Sequence, residues 1–322
     1  MPKTRDILLI KTSSMGDVLH NLPVVTVICR HLPDARIEWL VEESFAALPT
    51  LHPKVRRSIP VAVRRWRKSW WNSRNEMHAV YRELRSVRYD LTLDTQGLFK
   101  SALITRCSNS PRCGYAWDSA REPVASLFYD RTFAVAKNLH AVERNRLLAG
   151  QALGYTPGGA PDYGIQAPEM DFSWLNQSSP YVVLLHATSR DDKLWEEDKW
   201  IKLGSKLAAD GFQLILPWGG VQEQTRSLRL AAAIPRAVCP PRLNLIEAAA
   251  LLGHASAVIG VDTGLSHLAA ALNTPTIGIY TATDPGLTGL YAGEFAVNLG
   301  GKSASPSVDE VLATLTALLD HV

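Results

Sequence analysis

Short apolar runs alternate with helical periods along the first half of the chain. Ile7-Leu8-Leu9-Ile10 has the unbroken apolar character of a strand buried on both faces of a parallel sheet. Residues 16–32 follow with apolar positions at helical spacing, and Val18 and Leu22 lie on one face. The other elements predicted here are strands at 36–41 and 91–94 and helices near 44–51 and at 98–106. Such alternation predicts βαβ units and a parallel sheet.

The alternation stops in a segment rich in proline and glycine, residues 155–180, and resumes after it. We therefore predict a linker at 161–179 between two domains, residues 1–160 and 180–300. The predicted fold class is α/β, with two Rossmann-like doubly wound domains. Ligands of such domains bind at the carboxyl ends of the strands, here facing a central cleft.

The second domain repeats the pattern of the first and ends in a helix. Its predicted strands are 181–185, 213–216, 257–261 and 276–280, and its predicted helices are 200–210, 222–232, 245–253 and 265–272. Ser307 and Glu310 have the spacing of a capping box, which predicts a final helix at 307–322.

The composition is that of a soluble globular protein. Of the 322 residues, 46% are hydrophobic and 20% are charged, which excludes a disordered chain. No apolar run reaches the roughly 18 residues of a membrane span, and the first is too short for a signal peptide. We therefore expect a cytoplasmic protein. The four cysteines lack metal-ligand spacing and are interpreted as reduced structural thiols.

Two common motifs of nucleotide-dependent enzymes are missing from the sequence. No Gly-x-Gly-x-x-Gly fingerprint follows a predicted strand, which argues against an NAD enzyme. No Asp-x-Asp motif occurs, so lysines, arginines and backbone amides would have to meet phosphate charge in place of a divalent ion. We predict neither a metal nor a cofactor.

The loop after the first strand has the composition of a ligand-binding turn. Lys11-Thr12-Ser13-Ser14-Met15-Gly16-Asp17 joins the strand to a helix, and Gly16 lets a ligand approach the backbone closely. Asp17 lies near the helix start, where its carboxylate either caps the helix or accepts a proton from a substrate hydroxyl. Donors at a helix N-terminus keep a carboxylate ionised, as a base requires.

Val261-Asp262-Thr263-Gly264-Leu265-Ser266-His267 joins an apolar strand to a helix and is the most informative stretch of the chain. Backbone amides and the positive end of the helix dipole form an anion site at such a junction. Thr263 and Ser266 add hydroxyl groups, and His267 lies on the first helical turn. The cluster suits a diphosphate. The alternative is an ordinary helix capped by Asp262 or Thr263.

A third polar loop, residues 186–195, follows the first strand of the second domain. Thr188 and Ser189 are placed to hydrogen-bond phosphate oxygens, and Lys193 supplies a mobile positive charge. Together they would compensate the charge of a leaving nucleoside diphosphate. In the alternative interpretation, Lys193 pairs with one of the two aspartates that precede it.

A basic block occupies the interval between Glu43 and Glu76, which contains eight lysine or arginine residues and no acid. A block of one sign indicates an anionic partner such as phosphorylated lipid, a membrane surface or nucleic acid, and the alternative is a solvated loop. Nucleic acid is disfavoured because no recognised motif accompanies the block. Trp66, Trp70 and Trp71 interleave with it and either contact lipid headgroups or pack beneath the loop.

Five distinctive segments occur in order over nearly the whole chain: Lys11–Pro23 (KTSSMGDVLHNLP), Arg64–Trp70 (RRWRKSW), Ala120–Tyr129 (AREPVASLFY), His186–Trp195 (HATSRDDKLW) and Val261–His267 (VDTGLSH). Together they resemble the lipopolysaccharide heptosyltransferases, and among them the heptosyltransferase I family. The heptosyltransferase II family is the nearest alternative, and it typically lacks the SSMGD motif and the Arg-Arg-Trp-Arg block.

The resemblance implies a GT-B fold whose C-terminal helix crosses back to the N-terminal domain. It also implies metal-independent, inverting transfer of L-glycero-D-manno-heptose from an ADP-heptose donor to the first Kdo of Kdo2-lipid A. The enzyme would act as a peripheral protein on the cytoplasmic face of the inner membrane.

The resemblance further implies a role for each matching residue. Asp17 would be the general base on the acceptor hydroxyl, and Lys193 would stabilise the diphosphate. The other donor-binding residues would be Thr188, Ser189, Glu223, Leu243, Asp262, Thr263, Gly264 and His267. Among these, Glu223 would bind the ribose and Leu243 would lie against adenine. The anionic acceptor would meet Arg64, Arg65, Arg67, Lys68 and Arg121.

Two other function classes stay open on the residues alone. A sugar-nucleotide epimerase would share the architecture and the diphosphate site but would not need the basic block. A non-enzymatic sugar-nucleotide sensor would bind anionic lipid or nucleic acid without turnover.

Overall fold

The computed structural model describes residues 5–176, 178–188, 190–302 and 304–320. The chain folds into two compact units that divide between Gly164 and Ile165, inside the segment expected to be the linker. Each unit contains one six-stranded sheet in which all neighbouring strands are parallel. The predicted α/β architecture with two doubly wound domains is confirmed.

The first unit contains strands β1 (Asp6–Ile10), β2 (Arg36–Glu42), β3 (Val55–Val61), β4 (Leu91–Asp94), β5 (Arg112–Tyr115) and β6 (Arg131–Phe133). Its helices are α1 (Met15–Leu19), α2 (Leu22–His31), α3 (Ala47–Thr50), α4 (Val63–Lys68), α5 (Trp70–Ser86), α6 (Phe99–Thr105) and α7 (Ala141–Leu153), with 3-10 turns at Glu43–Phe45 and Pro123–Phe128. The strand order is β3-β2-β1-β4-β5-β6.

The second unit contains strands β7 (Tyr181–Leu185), β8 (Gln213–Ile215), β9 (Ala237–Val238), β10 (Ala257–Val261), β11 (Thr276–Tyr280) and β12 (Ala296–Gly300). Its helices are α8 (Glu197–Ala209), α9 (Val221–Ala233), α10 (Leu245–Gly253), α11 (Gly264–Ala271), α12 (Pro285–Thr288) and α13 (Val308–Asp320), with 3-10 turns at Asp191–Lys193 and Gly293–Phe295. The strand order is β12-β11-β10-β7-β8-β9.

Both sheets have the same connectivity, and it determines where a ligand binds. In each unit the first and fourth strands are neighbours, β1 beside β4 and β7 beside β10, and the order of the strands reverses between them. Ligands of open parallel sheets bind at the carboxyl ends of the strands at this switch point. The segments that leave it are residues 11–17, which include the first turn of α1, and 95–98 in the first unit, and 186–193 and 262–263 in the second.

The buried runs behave as their sequence predicts. Ile7, Leu8, Leu9 and Ile10 are all fully buried, as expected for a central strand of a parallel sheet. In the second unit, Trp195 and Trp200 pack edge to face in the core, with ring centroids 5.0 Å apart. The ends of the central strands are therefore held by a close-packed interior.

Three local predictions differ from the structure. The single helix expected at 16–32 is divided into α1 and α2, and Pro23 occupies the first turn of α2, where its missing amide and fixed φ are tolerated. Within the basic block, the strand β3 was not predicted, since arginines interrupt its apolar pattern. The helix near 44–51 is reduced to a 3-10 turn and the short helix α3.

The C-terminal helix α13 packs within the second unit. Its apolar positions Val311, Leu315 and Leu318 are part of the hydrophobic core that also contains Trp195. Its apolar face meets α8 and β11 directly after the chain leaves β12. The expected return of this helix to the N-terminal domain stays a prediction. The Ser307 hydroxyl accepts a hydrogen bond from the Glu310 amide at 3.1 Å, as the predicted cap requires. Among the described residues, no helix is long and apolar enough to cross a membrane.

Candidate active site

Asp17 caps the first helix with one carboxylate oxygen. Its Oδ2 accepts hydrogen bonds from the backbone amide of Ser14 at 2.9 Å and from the Ser14 hydroxyl at 3.0 Å. The hydrogen bonds among the described residues do not use Oδ1, and the side chain is 23% exposed. The capping interpretation is therefore correct, and it leaves one oxygen available for a substrate proton.

The loop that precedes Asp17 is held by the neighbouring loop after β4. Gln96 Oε1 accepts from the amide and the hydroxyl of Thr12, both at 2.7 Å, and its Nε2 donates to the Ser13 carbonyl at 3.1 Å. Lys11, which is buried, donates from Nζ to the Thr95 carbonyl at 2.9 Å. Burial lowers the pKa of Lys11, against the raising effect of the carboxylates of Asp17 and Asp94.

Asp94 fixes the shape of this second loop. Its Oδ1 accepts from the amides of Gln96 at 2.8 Å and Gly97 at 3.3 Å, and its Oδ2 accepts from the Tyr129 hydroxyl at 2.8 Å. Burial raises the pKa of Asp94, and these hydrogen bonds oppose the rise. Gly97 has φ of +65°, a conformation that favours glycine. The site thus rests on a rigid, buried carboxylate.

One cation lies beside Asp17, and a second contacts the loop that precedes it. Arg121, which is 67% exposed, places Nη1 4.0 Å from Asp17 Oδ2. Lys100 donates from Nζ to the Ser13 hydroxyl at 3.1 Å. Burial lowers the pKa of Lys100. Lys100 was not predicted from the sequence, and the signal that identifies it is the adjacency of β1 and β4, which only the topology supplies.

The basic block is partly neutralised by acids from outside it. Arg65 forms ion pairs with Glu43 at 3.0 Å and Glu76 at 2.8 Å. By contrast, Arg64, Arg67 and Lys68 form no ion pair with another described residue, and they remain available to an anion. The structure therefore separates a structural arginine, Arg65, from three candidate acceptor-binding side chains on α4.

The three tryptophans of the block divide in the same way. Trp66 is buried, and its Nε1 donates to Glu76 Oε2 at 3.0 Å. Trp70 and Trp71 are 58% and 65% exposed, and their ring centroids are 4.2 Å apart. The interpretation that the tryptophans pack beneath the loop is therefore correct for Trp66. The exposed Trp70 and Trp71 are still candidates for contact with lipid headgroups.

In the second unit, Asp262 is the centre of a polar cluster. Lys193 Nζ lies 2.7 Å from Asp262 Oδ2, and the Thr283 hydroxyl donates to the same oxygen at 2.8 Å. The side chains of Lys193 and Asp262 are each 18% exposed. The alternative in which Lys193 pairs with a preceding aspartate is wrong, because Lys193 pairs with Asp262, and Asp192 pairs with Arg190. Thr283 was not predicted.

Two hydroxyl groups that were expected to meet phosphate have backbone partners. The Thr188 hydroxyl donates to the Asp262 carbonyl at 2.9 Å, which joins the loops after β7 and β10. The Ser266 hydroxyl donates to the Val261 carbonyl at 2.9 Å and is buried. Ser189 lies outside the described residues. The candidate phosphate donors that remain among the described residues of these loops include backbone amides and Lys193.

The helix α11 begins at the predicted anion site. It starts at Gly264, with Thr263 as N-cap in extended conformation, and the Thr263 side chain makes no capping hydrogen bond. The amides of the first turn thus have no side-chain cap to compete with an anion. His267 is nearly buried on this turn. Of the two N-cap candidates, Thr263 is the N-cap residue, but it caps the helix without a side-chain hydrogen bond.

The last two donor-binding candidates, Glu223 and Leu243, follow the strands β8 and β9 of the second sheet. Glu223 Oε2 accepts from the amides of Gly219 at 2.7 Å and Gly220 at 3.3 Å, and the hydrogen bonds of the described residues leave Oε1 unused. Leu243 is half-buried and immediately precedes Asn244, which caps α10 by accepting from two backbone amides. The contacts described for Glu223 and Leu243 therefore leave part of each side chain accessible to a ligand.

Comparison with known proteins places the chain in a family. The sequence model of glycosyltransferase family 9 (heptosyltransferase) matches residues 77–315. Lipopolysaccharide heptosyltransferase 1 of Pseudomonas aeruginosa is 46% identical over 298 residues, which cover 91% of this chain and 83% of that protein. The chain belongs to glycosyltransferase family 9. The epimerase and sensor alternatives are therefore set aside.

Solved structures of family 9 agree with the fold described above. Escherichia coli heptosyltransferase WaaC with ADP superposes with a TM-score of 0.90 at 41% identity, and the match covers 97% of this chain and 99% of that one. The same enzyme with ADP-2-deoxy-2-fluoro heptose gives a TM-score of 0.87 at 40% identity, with 97% and 99% covered. The GT-B type of fold is thereby confirmed. Within the described ranges, no group of three histidine, cysteine, aspartate or glutamate side chains could hold a metal ion.

Proposed function

We propose that this family 9 glycosyltransferase transfers L-glycero-D-manno-heptose from ADP-heptose to the first Kdo of Kdo2-lipid A, with inversion at the anomeric carbon. The relatives named heptosyltransferase 1 support this reaction, as do the WaaC structures with ADP and an ADP-heptose analogue. One feature of the second unit supports the donor assignment most strongly.

The candidate donor residues follow the sheet in the order of the parts of ADP-heptose. Asp262 follows β10, Lys193 follows β7, Glu223 follows β8 and Leu243 follows β9, and these strands are neighbours in that sequence. Neighbouring strands are about 4.8 Å apart, so the four loops form a continuous edge. Heptose, diphosphate, ribose and adenine would occupy this edge in turn. With Asp262, the α11 start would hold the heptose and phosphates through Thr263, Gly264 and His267.

Lys193 would stabilise the leaving ADP. An ammonium group has three donors, and only one is needed for the contact with Asp262. The remaining donors and the amides at the α11 start would meet the charge that develops on the diphosphate. Thr188 would act through backbone geometry, since its hydroxyl already donates to a carbonyl, and Ser189 would aid Lys193 at the diphosphate.

Asp17 would act as the general base on the acceptor hydroxyl. Two donors from Ser14 hold its Oδ2, which fixes the orientation of the carboxylate. Oδ1 would accept the proton as the hydroxyl oxygen attacks the anomeric carbon. Arg121, with Arg64, Arg67 and Lys68, would bind the acceptor's carboxylates and phosphates, while Arg65 would support α4 through its two glutamates.

The assay for this proposal measures ADP release from ADP-heptose with Kdo2-lipid A as the acceptor. We expect turnover by the wild-type chain and a decrease in kcat of roughly 10²–10⁴-fold in Asp17→Asn. The amide keeps the size of the carboxylate but cannot take the proton. A kcat for Asp17→Asn close to the wild-type value would exclude Asp17 as the base.

The choice of acceptor separates the remaining alternatives. Turnover with heptosyl-Kdo2-lipid A and none with Kdo2-lipid A would indicate the activity of the second heptosyltransferase. Consumption of ADP-heptose without any acceptor would indicate different chemistry altogether. We further propose that the enzyme works at the cytoplasmic face of the inner membrane as a peripheral protein, because its acceptor is a lipid and Trp70 and Trp71 are exposed beside basic residues. Co-sedimentation with anionic vesicles tests this contact.

A further inference from the structure

An apolar groove of about 800 Å³ lies in the first unit between the helices α4 and α5 on one side and α6 on the other. Its floor is formed by the buried residues Val61, Trp66 and Leu84, which belong to one hydrophobic core cluster. The floor is therefore part of the packed apolar core of the first unit. A groove of this size is within the range of sites that bind small organic ligands.

The walls of the groove are apolar side chains that face solvent. Thirteen large apolar side chains are exposed among the described residues, and five of them line this one groove: Trp70, Met77, Tyr81, Phe99 and Leu103. Soluble proteins rarely leave a contiguous apolar surface open without a partner. On α5 the lining positions recur at helical spacing, so one face of that helix points into the groove.

One end of the groove is cationic and connects to the loop of Asp17. Arg67 and Lys100 line the groove, and Lys100 Nζ also contacts the Ser13 hydroxyl in that loop at 3.1 Å. Glu122 lines the same end, but its carboxylate accepts a hydrogen bond from the Phe99 amide at 2.6 Å and caps α6. Arg67, Lys100 and the Asp17 loop thus form a continuous path from the groove to the candidate base.

We propose that this groove binds an acyl chain of the acceptor glycolipid, while Arg67 and Lys100 bind a phosphate at the point where the chain joins the sugar. The inference rests on the proposed function for the identity of the acceptor. The charge pattern favours this ligand because an anionic head and an apolar tail match a cationic end and an apolar trough. Binding would place the sugar of the acceptor toward Asp17 and would contribute to KM, not to the chemical step.

Leu103→Gln tests the groove without disturbing the floor, since Leu103 is 50% exposed on α6. Its matched control is Leu228→Gln, an equally exposed leucine, 55%, on the surface of α9. Both variants are assayed with Kdo2-lipid A and with its fully deacylated form. We expect Leu103→Gln to raise KM for the acylated acceptor about fivefold, because roughly half a leucine side chain is newly buried by the ligand.

The expected pattern has three further parts. The KM of Leu103→Gln for the deacylated acceptor and its kcat with either acceptor should equal those of the wild type. Leu103→Met, which keeps an apolar side chain, should retain the wild-type KM. Leu228→Gln should change neither constant. An unchanged KM of Leu103→Gln for the acylated acceptor, or an equal rise with both acceptors, would overturn the proposal.

A binding measurement separates this inference from the proposed reaction. Dodecyl phosphate is titrated below its micelle concentration against the wild type and Leu103→Gln, with the intrinsic tryptophan fluorescence of the protein as the signal. Inorganic phosphate serves as the headgroup control. Weaker dodecyl phosphate binding by Leu103→Gln, at unchanged phosphate binding, supports an acyl groove even if no heptose transfer is detected. Equal binding by both proteins refutes it. A loss of binding by Leu103→Gln to acceptor-free phosphatidylglycerol vesicles, at unchanged KM for the acylated acceptor, assigns the groove to bulk membrane lipid and also refutes it.

Discussion

Lys193→Met removes the charge that is proposed to stabilise the leaving ADP, and the structure sets the size of the effect. Preorganised donors of this kind contribute about 2.7–4 kcal/mol to the transition state, so we expect kcat to fall by roughly 10²–10³-fold. The folded state also loses the 2.7 Å contact with Asp262, which leaves that carboxylate with Thr283. Losing such a charge-assisted contact costs about 1–3 kcal/mol of folding free energy.

The assay combines steady-state ADP release with urea denaturation of the same proteins. Lys206→Met is the matched control, because Lys206 also forms a pair with an aspartate, Asp309, at 2.8 Å in the second unit. That pair is 55% and 87% exposed, so its loss should change stability by less than about 1 kcal/mol and leave kcat intact. A kcat of Lys193→Met within about threefold of wild type would refute the assignment.

Three other outcomes follow from the structure. Gly97→Ala should lower the free energy of unfolding by about 1–2 kcal/mol, because φ is +65° and a Cβ would lie 3.1 Å from a tyrosine ring. The control Gly158→Ala should be nearly neutral, since a Cβ there would have no atom within 4 Å. Equal urea midpoints for the two variants would contradict this prediction. Burial raises the pKa of Glu38, but hydrogen bonds from Arg57 and Tyr89 outweigh it and leave the pKa lowered. Its contribution to stability is therefore present above the ordinary glutamate pKa of about 4.3 and lost as pH falls below it, so Glu38→Gln should be less stable than wild type at pH 7 and approach it in acid. A difference in stability between Glu38→Gln and wild type that does not change with pH would count against this role of Glu38. Turnover rates should be the same with and without EDTA, and a strict requirement for a divalent ion would argue against the metal-free mechanism.

Much of the fold could be predicted from the sequence because its strands are buried and its patterns are strong. The strands at 257–261 and 276–280 and the helix at 245–253 have the predicted bounds. β3 was missed because Arg56 and Arg57 interrupt its apolar run, and both pair with Glu38 on the neighbouring strand. That neutralisation depends on strand pairing, which a linear pattern does not contain.

The candidate site was predictable residue by residue only where a loop follows a strand directly. Asp17 and Asp262 satisfy that rule, and their loops lie at the switch points. Lys100 and Thr283 do not stand out in the sequence, since each reaches the site from a loop or helix after a neighbouring strand. The hydroxyl of Thr188 shows the opposite error, because a side chain of suitable chemistry was already engaged by the backbone.

In each unit a side chain joins the two loops at the switch point, but the side chain is of a different kind in the two units. In the first unit the loops at the switch point are joined through Gln96, a neutral amide, and the Asp17 carboxylate takes no part in that connection. In the second unit they are joined through Asp262, whose charge is balanced by Lys193. If Asp262 acts mainly by holding Lys193 in place, the double variant Lys193→Met with Asp262→Asn should be no slower than Lys193→Met alone. If both side chains contact the donor independently, their effects on kcat should multiply.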